Sequence, residues 1–257
     1  MKTDIVKAIF LIWAISLSQV AFSKKKIIIG VENIDYSPFY TTKKGQYEGF
    51  ARKVFDLFCQ KQGYKVEYKP LPINRLFHSL VHKKSEIDFK FPDHPHWRRD
   101  MKKDVSITYS EPVVGFTDGL LGTDETLKKK DITLIGTATG FTPWDYLDDI
   151  KSKRVKSIEN SSLKGILRQV IAGRIQGAYI NVDVGYFLLK GLSSDKKVVF
   201  LKNLPHTKSF YHLSTSTKPK VLEEFNSFLK KYKGHIKELA VKSGIKANKE
   251  PLTTTKP

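Results

Sequence analysis

Two hydrophobic periods divide the chain. Short runs bounded by charge predict buried strands at Lys26-Ile27-Ile28-Ile29-Gly30-Val31 and Ile87-Asp88-Phe89-Lys90-Phe91. Tyr64-Lys65-Val66-Glu67-Tyr68 alternates as a half-buried strand does. Between these runs the apolar spacing becomes helical. Phe50, Val54, Leu57 and Phe58 share one face of residues 50–62, with Gly63 as the stop. Leu76, Phe77, Leu80 and Val81 do the same over residues 72–83. Strand, helix, strand, helix, strand is the order of an α/β unit with a mostly parallel sheet.

The pattern then restarts. Ile132-Thr133-Leu134-Ile135-Gly136, Gly177-Ala178-Tyr179-Ile180 and Val198-Val199-Phe200-Leu201 predict strands. Helices are predicted near Pro143, over 162–173 and from 218 to 243, the last with Leu222, Phe225, Phe228 and Leu229 on one face. Lys246 to Pro257 reads as a polar, disordered tail. Two successive α/β units predict two lobes with a cleft between them, a preferred place for ligands.

The first 23 residues follow another grammar. Lys2 and Lys7 precede the apolar run Ala8 to Ile15, and Ala21 and Ser23 stand at −3 and −1 before Lys24. Ser16, Ser18 and Gln19 interrupt the run well short of the roughly 20 residues a membrane span needs. A secretory leader cut after Ser23, without a lipid anchor, is the expectation. The formal net charge is +19, and since the leader holds two lysines and one aspartate, +18 would remain. Its lysines are thinly spread and form no basic block interleaved with aromatics, so nucleic acid is not an expected partner. A solvated surface is the plain reading, and attraction to an anionic envelope the alternative. The lone Cys59 cannot close an internal disulfide and reads as a buried thiol on the 50–62 helix.

Six segments in order then carry a resemblance. Ile29-Gly30-Val31 leads to Tyr36-Ser37-Pro38-Phe39, Gly45 to Phe50 opens a helix, and Leu80 to Asp88 approaches a strand. Tyr109-Ser110-Glu111-Pro112, Ala172 to Ala178 and Phe225 to Leu229 follow. In these motifs the chain resembles the family 3 extracellular solute-binding proteins, the amino-acid ABC transporter substrate-binding type. The resemblance implies a two-lobed α/β periplasmic-binding-protein type II fold. Two mixed, mostly parallel sheets flanked by helices would enclose a ligand cleft and be joined by two crossover strands. Lobe 1 would span 24–113 with a return at 208–257, and lobe 2 would span 114–207. Hinge closure around the solute is expected of such a protein.

The resemblance also implies where a ligand would sit. Family members that bind amino acids grip the carboxylate with an Arg in a "T-x-x-R" segment and take the ammonium with an Asp of lobe 2. Here the corresponding segment is Phe91-Pro92-Asp93-His94-Pro95-His96-Trp97-Arg98-Arg99, with no such motif. Asp93, Trp97 and Arg98 are its candidates, Arg98 or Arg99 offering the bidentate fork a carboxylate favours. Asn181 stands where the Asp would be, with Asp183 two residues on. An amide cannot balance an ammonium charge, so the amino-acid motif does not transfer whole. Tyr36 follows the first strand, with Glu32 and Asn33 as weaker candidates, and Arg75 opens a helix facing the cleft. Thr139, in Thr137-Ala138-Thr139-Gly140 before a helix, would help form an anion site, with Phe141 and Trp144 as walls.

No catalytic residue, cofactor or metal site is expected. His78 and His82 are four apart but lack the zincin Glu, Asp93, His94 and His96 form only a loose cluster, and no nucleophile elbow or phosphate loop occurs. The expected function is a periplasmic, monomeric receptor. It would capture a small polar solute, amino-acid-like ones included, and deliver it to a membrane transporter permease or sensor. The alternatives are a dehydratase-like enzyme on the same scaffold, with Asp93 beside Arg75 as acid or base, and a basic envelope-associated protein without a small ligand.

Overall fold

The β-branched run near the N-terminus forms β1 (Lys26–Glu32), which pairs in parallel with β2 (Lys65–Leu71) and β3 (Phe89–Asp93). This is a computed structural model, and it describes residues 25–82 and 85–246. The leader expected at 1–23 and the tail beyond Lys246 lie outside the described residues. Parallel strands need crossovers, supplied by α1 (Phe50–Gln62) and α2 (Ile73–Val81). Helix α1 starts at Gly49, whose φ is 107°; a Cβ there would lie 2.8 Å from the Tyr40 Cα, so only glycine fits. It buries Phe50, Val54, Phe55, Phe58 and Cys59, while Leu57 is only partly covered. Burial and the nearby Asp56 push the Cys59 thiol up to about 12, so it stays protonated.

After the short α3 (Arg99–Lys102) and β4 (Thr108–Tyr109), the chain enters the long strand β5 (Val114–Gly122). A second strand set follows, built from β6 (Leu134–Ala138), β7 (Lys156–Asn160) and β8 (Gly177–Asn181). β6 runs parallel to both of the others. It is flanked by α4 (Leu147–Lys151), α5 (Leu163–Ile171) and α6 (Val182–Leu189), with β9 (Val199–Phe200) at its margin. The chain returns through β10 (Thr207–Thr215). The residues from Thr207 to Tyr211 pair with β5, whereas His212 and Ser214 pair with β3, across an irregularity in register. One strand therefore belongs to both strand sets, in the order β2-β1-β3-β10-β5-β8-β6-β7. Helices α7 (Pro219–Lys231) and α8 (Lys233–Lys242) close the first set, Phe225 meeting Phe55 and Phe58 at ring distances of 5.6 and 5.0 Å.

The result is the mixed α/β architecture expected. Four elements differ from the periodicity. The third strand begins at Phe89 because Ile87 packs against Leu71 and Leu76, while the Asp88 carboxylate accepts from the Ile28 amide at 2.8 Å. The helical end is two helices that break at Tyr232. Strands β5 and β10 have no alternating signature: glycines and Asp118 interrupt the first, and polar residues the second.

Where β3 meets β10, charge is buried. Lys90 is fully enclosed, its ammonium 4.1 Å from the centre of the Phe77 ring and donating to the Pro92 carbonyl. Asp93 Oδ1 lies 3.7 Å from Lys90 Nζ and accepts from Lys102 Nζ at 2.7 Å, while Oδ2 accepts from Ser214 Oγ at 2.7 Å. Burial pulls Lys102 down to about 8, against the pull of the Asp93 charge. Removing the shared anion leaves two buried ammoniums uncompensated. Asp93→Ala is therefore expected to lower unfolding free energy by about 3–5 kcal/mol in urea titrations. A loss below about 1 kcal/mol would show that the cluster does not hold the strands.

Candidate functional site

A cavity of about 30 Å³ lies where the two strand sets meet. The first half of the chain contributes Glu32 from the end of β1, Tyr36 and Tyr40 from the turn after it, Ile73 and Phe77 from α2, Pro92 from β3 and Trp97. The second half contributes Asp118 from β5, Gly140 to Thr142 from the turn after β6, and Tyr179 and Ile180 from β8. Tyr211 of β10 joins them at the point where that strand changes partners.

Local geometry places each group. The Tyr36 amide donates to the Tyr40 carbonyl at 3.0 Å, and this tight turn stacks the two rings at 5.1 Å and 21°. Tyr40 then donates its hydroxyl to Glu32 Oε2 at 2.5 Å. Glu32 is 3% exposed; burial raises its pKa, opposed by the charge of Lys90 and the Tyr40 hydrogen bond. The Tyr36 and Tyr211 hydroxyls are 3.1 Å apart, and Asn181 Nδ2 donates to Tyr211 at 3.2 Å. Phe141 sets its edge on Tyr36 at 5.6 Å, while Tyr211 stacks on Phe116 at 4.3 Å. Gly140 has φ 83°, and a Cβ there would come within 3.2 Å of Ile73 Cβ, so the two halves touch closely at the cavity rim.

The acids of the second half differ in their partners. Asp145 accepts from the Tyr179 hydroxyl at 2.6 Å and from Thr207 Oγ1 at 3.1 Å. Asp118 Oδ1 is sealed from solvent and has no hydrogen-bond partner. Burial, then the charges of Asp145 and Glu32, push its carboxyl up to about 8. Burial also raises the phenols of Tyr36, Tyr40, Tyr179 and Tyr211 far above their ordinary value, so they remain neutral donors.

Of the residues expected from sequence, Tyr36 and Trp97 line the cavity, as do Glu32 and Phe141. Asn181 is fully buried behind it, capping α6 by accepting from the Val184 amide at 3.1 Å. Asp93 is turned to its lysines. Arg98 lies at the rim, donating to Asn74 Oδ1 at 2.7 Å. Arg75 is 63% exposed and reaches Glu86 at 3.3 Å. Asp183 accepts from the Lys246 amide at 2.9 Å, Asn33 accepts from Thr42 Oγ1, and Trp144 sets against His96. Thr139 is exposed, and the amides that would form an anion site there are committed: Thr139 to the Asn160 carbonyl, Gly140 to Glu159 and Phe141 to the Ala138 carbonyl.

Sequence reasoning missed Asp118, Tyr40, Tyr179 and Tyr211. For Asp118 a signal existed: it is the lone charge in Val113-Val114-Gly115-Phe116-Thr117-Asp118-Gly119-Leu120-Leu121, and a buried acid in an apolar run invites explanation. The tyrosines had none, because an aromatic serves a core as readily as a cleft.

Comparison with known proteins bears on the family and the fold. The model of the bacterial extracellular solute-binding proteins, family 3, matches residues 27–242. A putative binding component of an ABC transporter from Wolinella succinogenes DSM 1740, complexed with lysine, is 19% identical with a TM-score of 0.68, covering 87% of this chain and 97% of that one. The P235GK mutant of ArgBP from T. maritima is 17% identical with a TM-score of 0.67, covering 84% and 94%. An ancestral amino acid-binding protein, a precursor of cyclohexadienyl dehydratase, is 20% identical with a TM-score of 0.66, covering 85% and 95%. No curated protein matches the chain.

The Asp118 carboxyl keeps its proton in the fold up to about pH 8, against 3.8 for an ordinary aspartate. Folding thus binds a proton across that window, and stability falls as pH rises through it, levelling above. Asp118→Asn removes this dependence. Its Tm advantage over the parent should grow by a few degrees from pH 5 to pH 8 in thermal melts. A constant difference across that range would mean the carboxyl titrates normally.

Proposed function

Because the chain belongs to the bacterial extracellular solute-binding proteins, family 3, we propose that it is an exported receptor whose halves part to admit a small polar solute between the walls of this cavity, which closed has room for only about two waters, and that it passes the solute to a membrane transporter. The observation that carries the reading is the cavity itself, whose walls come from both halves of the chain and whose Tyr211 stands on the strand they share. We take the halves as the lobes 24–113 with 208–257 and 114–207. The two passages between them run through Ser110–Val113 and Tyr211–His212, where the Val113 amide donates to the Tyr211 carbonyl. Two adjacent extended segments can bend together, which suits hinge closure over a ligand.

In this reading Tyr36, Trp97, Tyr40 and Phe141 wall the solute, and Glu32 and Asp118 supply its polar contacts. Asn181 orients Tyr211, Arg98 and Asn74 form the closing rim against Gly140, and Asp93, Arg75 and Asp183 serve the fold. The protein acts as a monomer outside the inner membrane after loss of the 1–23 leader, and it returns its solute unchanged. Its lysines keep it soluble and favour an anionic membrane surface, where the transporter resides.

The test is a thermal-shift screen against amino acids, polyamines, organic acids, sugars and vitamins. A ligand at 100 times its Kd adds about 2.7 kcal/mol, which at this size raises Tm by roughly 5–10 °C. Tyr36→Ala and Trp97→Ala should each weaken binding about tenfold or more, as loss of a buried aromatic contact does, and mass spectrometry should recover the solute intact. Turnover of the hit would instead make the protein an enzyme. Silence from the folded, refolded protein across every class would remove the receptor reading.

A further inference from the structure

We infer that the solute is a small organic ammonium ion, a primary amine that bears no carboxylate. This rests on the receptor reading above and concerns the same cavity. Its described lining includes two carboxylates, Glu32 and Asp118, and neither lysine nor arginine. A third carboxylate, Asp145, stands behind Tyr179. Acids gathered in a place shut off from water repel one another, and a bound cation removes that cost.

The hydrogen-bond inventory points the same way. The Tyr40 hydroxyl is spent on Glu32 and that of Tyr179 on Asp145, while Tyr36 and Tyr211 share one bond and Tyr211 also accepts from Asn181, which leaves one hydroxyl proton of the pair. The Gly140 and Phe141 amides are likewise taken. Among the described lining, the one sealed side-chain polar atom without a partner is an acceptor, Asp118 Oδ1. A cation bound there draws the proton off Asp118 and leaves both its oxygens as acceptors, which ask for N–H; a primary ammonium carries it and a quaternary one lacks it. The faces of Tyr36, Trp97 and Tyr211 around it suit a cation.

The nearby positive groups do not offer a carboxylate grip. Lys90 and Lys102 lie behind the Phe77 and Trp97 wall, bound to Asp93. Arg98 at the rim holds Asn74. Burial keeps His94, beside Trp97, neutral, with its pKa down to about 4. Once the ammonium has drawn the proton off Asp118, an α-carboxylate on the same solute would face Glu32 and Asp118 with no fork among the described lining to hold it, a repulsive contact that selects against amino acids.

Matched pairs isolate the carboxylate. Calorimetric titration of the purified protein, refolded from denaturant to strip carried solute, compares cadaverine with lysine, agmatine with arginine, and propylamine with tetramethylammonium. At least one amine should bind, tenfold or more tighter than its amino acid, with tetramethylammonium weaker than propylamine. Asp118→Asn and Glu32→Gln, both folded by circular dichroism, should each weaken that amine at least tenfold. Lysine or arginine binding better than its decarboxylated partner, or undiminished amine affinity in Asp118→Asn, overturns the inference and leaves the receptor standing. So does an acid or a sugar from the wider screen that binds while all amines are silent. No binding by any class removes the receptor reading and the inference with it.

Discussion

One carboxylate holds the first half of this molecule in register with its returning strand. Asp93 answers Lys90 and Lys102 and accepts from Ser214, so β3, α3 and β10 meet at a single anion. Buried ammoniums are tolerated only with such a partner, because the interior screens charge far less than water does. The geometry that follows reaches the cavity. With Asp93 turned inward, Pro92 faces the cleft, and Phe77 and Trp97 present one side of their rings to the Lys90 charge. The wall is aromatic because the charges lie behind it.

The opposite side of the cavity reverses that logic. Asp118 and Asp145 sit among apolar strands with hydroxyl neighbours, and the described lining holds no lysine or arginine, so Asp145 is satisfied by Tyr179 and Thr207 while an oxygen of Asp118 is left without a partner. Between the sides runs a neutral seam, Tyr36 to Tyr211 to Asn181. Each of its hydrogen bonds is worth about 1 kcal/mol net. Parting the seam therefore costs little beside the affinity of a micromolar ligand, about 8 kcal/mol. Tight closure and ready opening are compatible here because the contacts between halves are many and individually weak.

Much of the fold was legible along the chain. The β-branched run of β1, the 3.6-residue spacing of Phe50, Val54 and Phe58, and the glycine at 63 each specify their element locally, and the family motifs supplied the order of the lobes. The crossing strands were not legible. β5 contains Gly115, Gly119 and Asp118, and Gly119 is needed because Phe200 and His206 press against it, where a Cβ would stand 2.7 Å from the Phe200 ring. A strand shaped by neighbours distant in sequence carries little alternation of its own.

The site divides in the same way. Tyr36 and Trp97 could be named because they belong to short segments whose position in such a fold is set by the strand before them. Asp93 stands among histidines and arginines and Asp118 alone in an apolar run, so the flanking residues point to Asp93 as the ligand group. What fixes their roles is the company brought from afar: Lys102 and Ser214 to Asp93, but the like charges of Asp145 and Glu32 to Asp118. The sequence by itself determined the locally patterned strands and helices, their order and the family, since backbone preference and hydrophobic period act within a few residues. Only the tertiary structure decided which carboxylate is neutralised and which is left open, because charge and hydrogen bonding act through space, between residues the chain alone does not bring together.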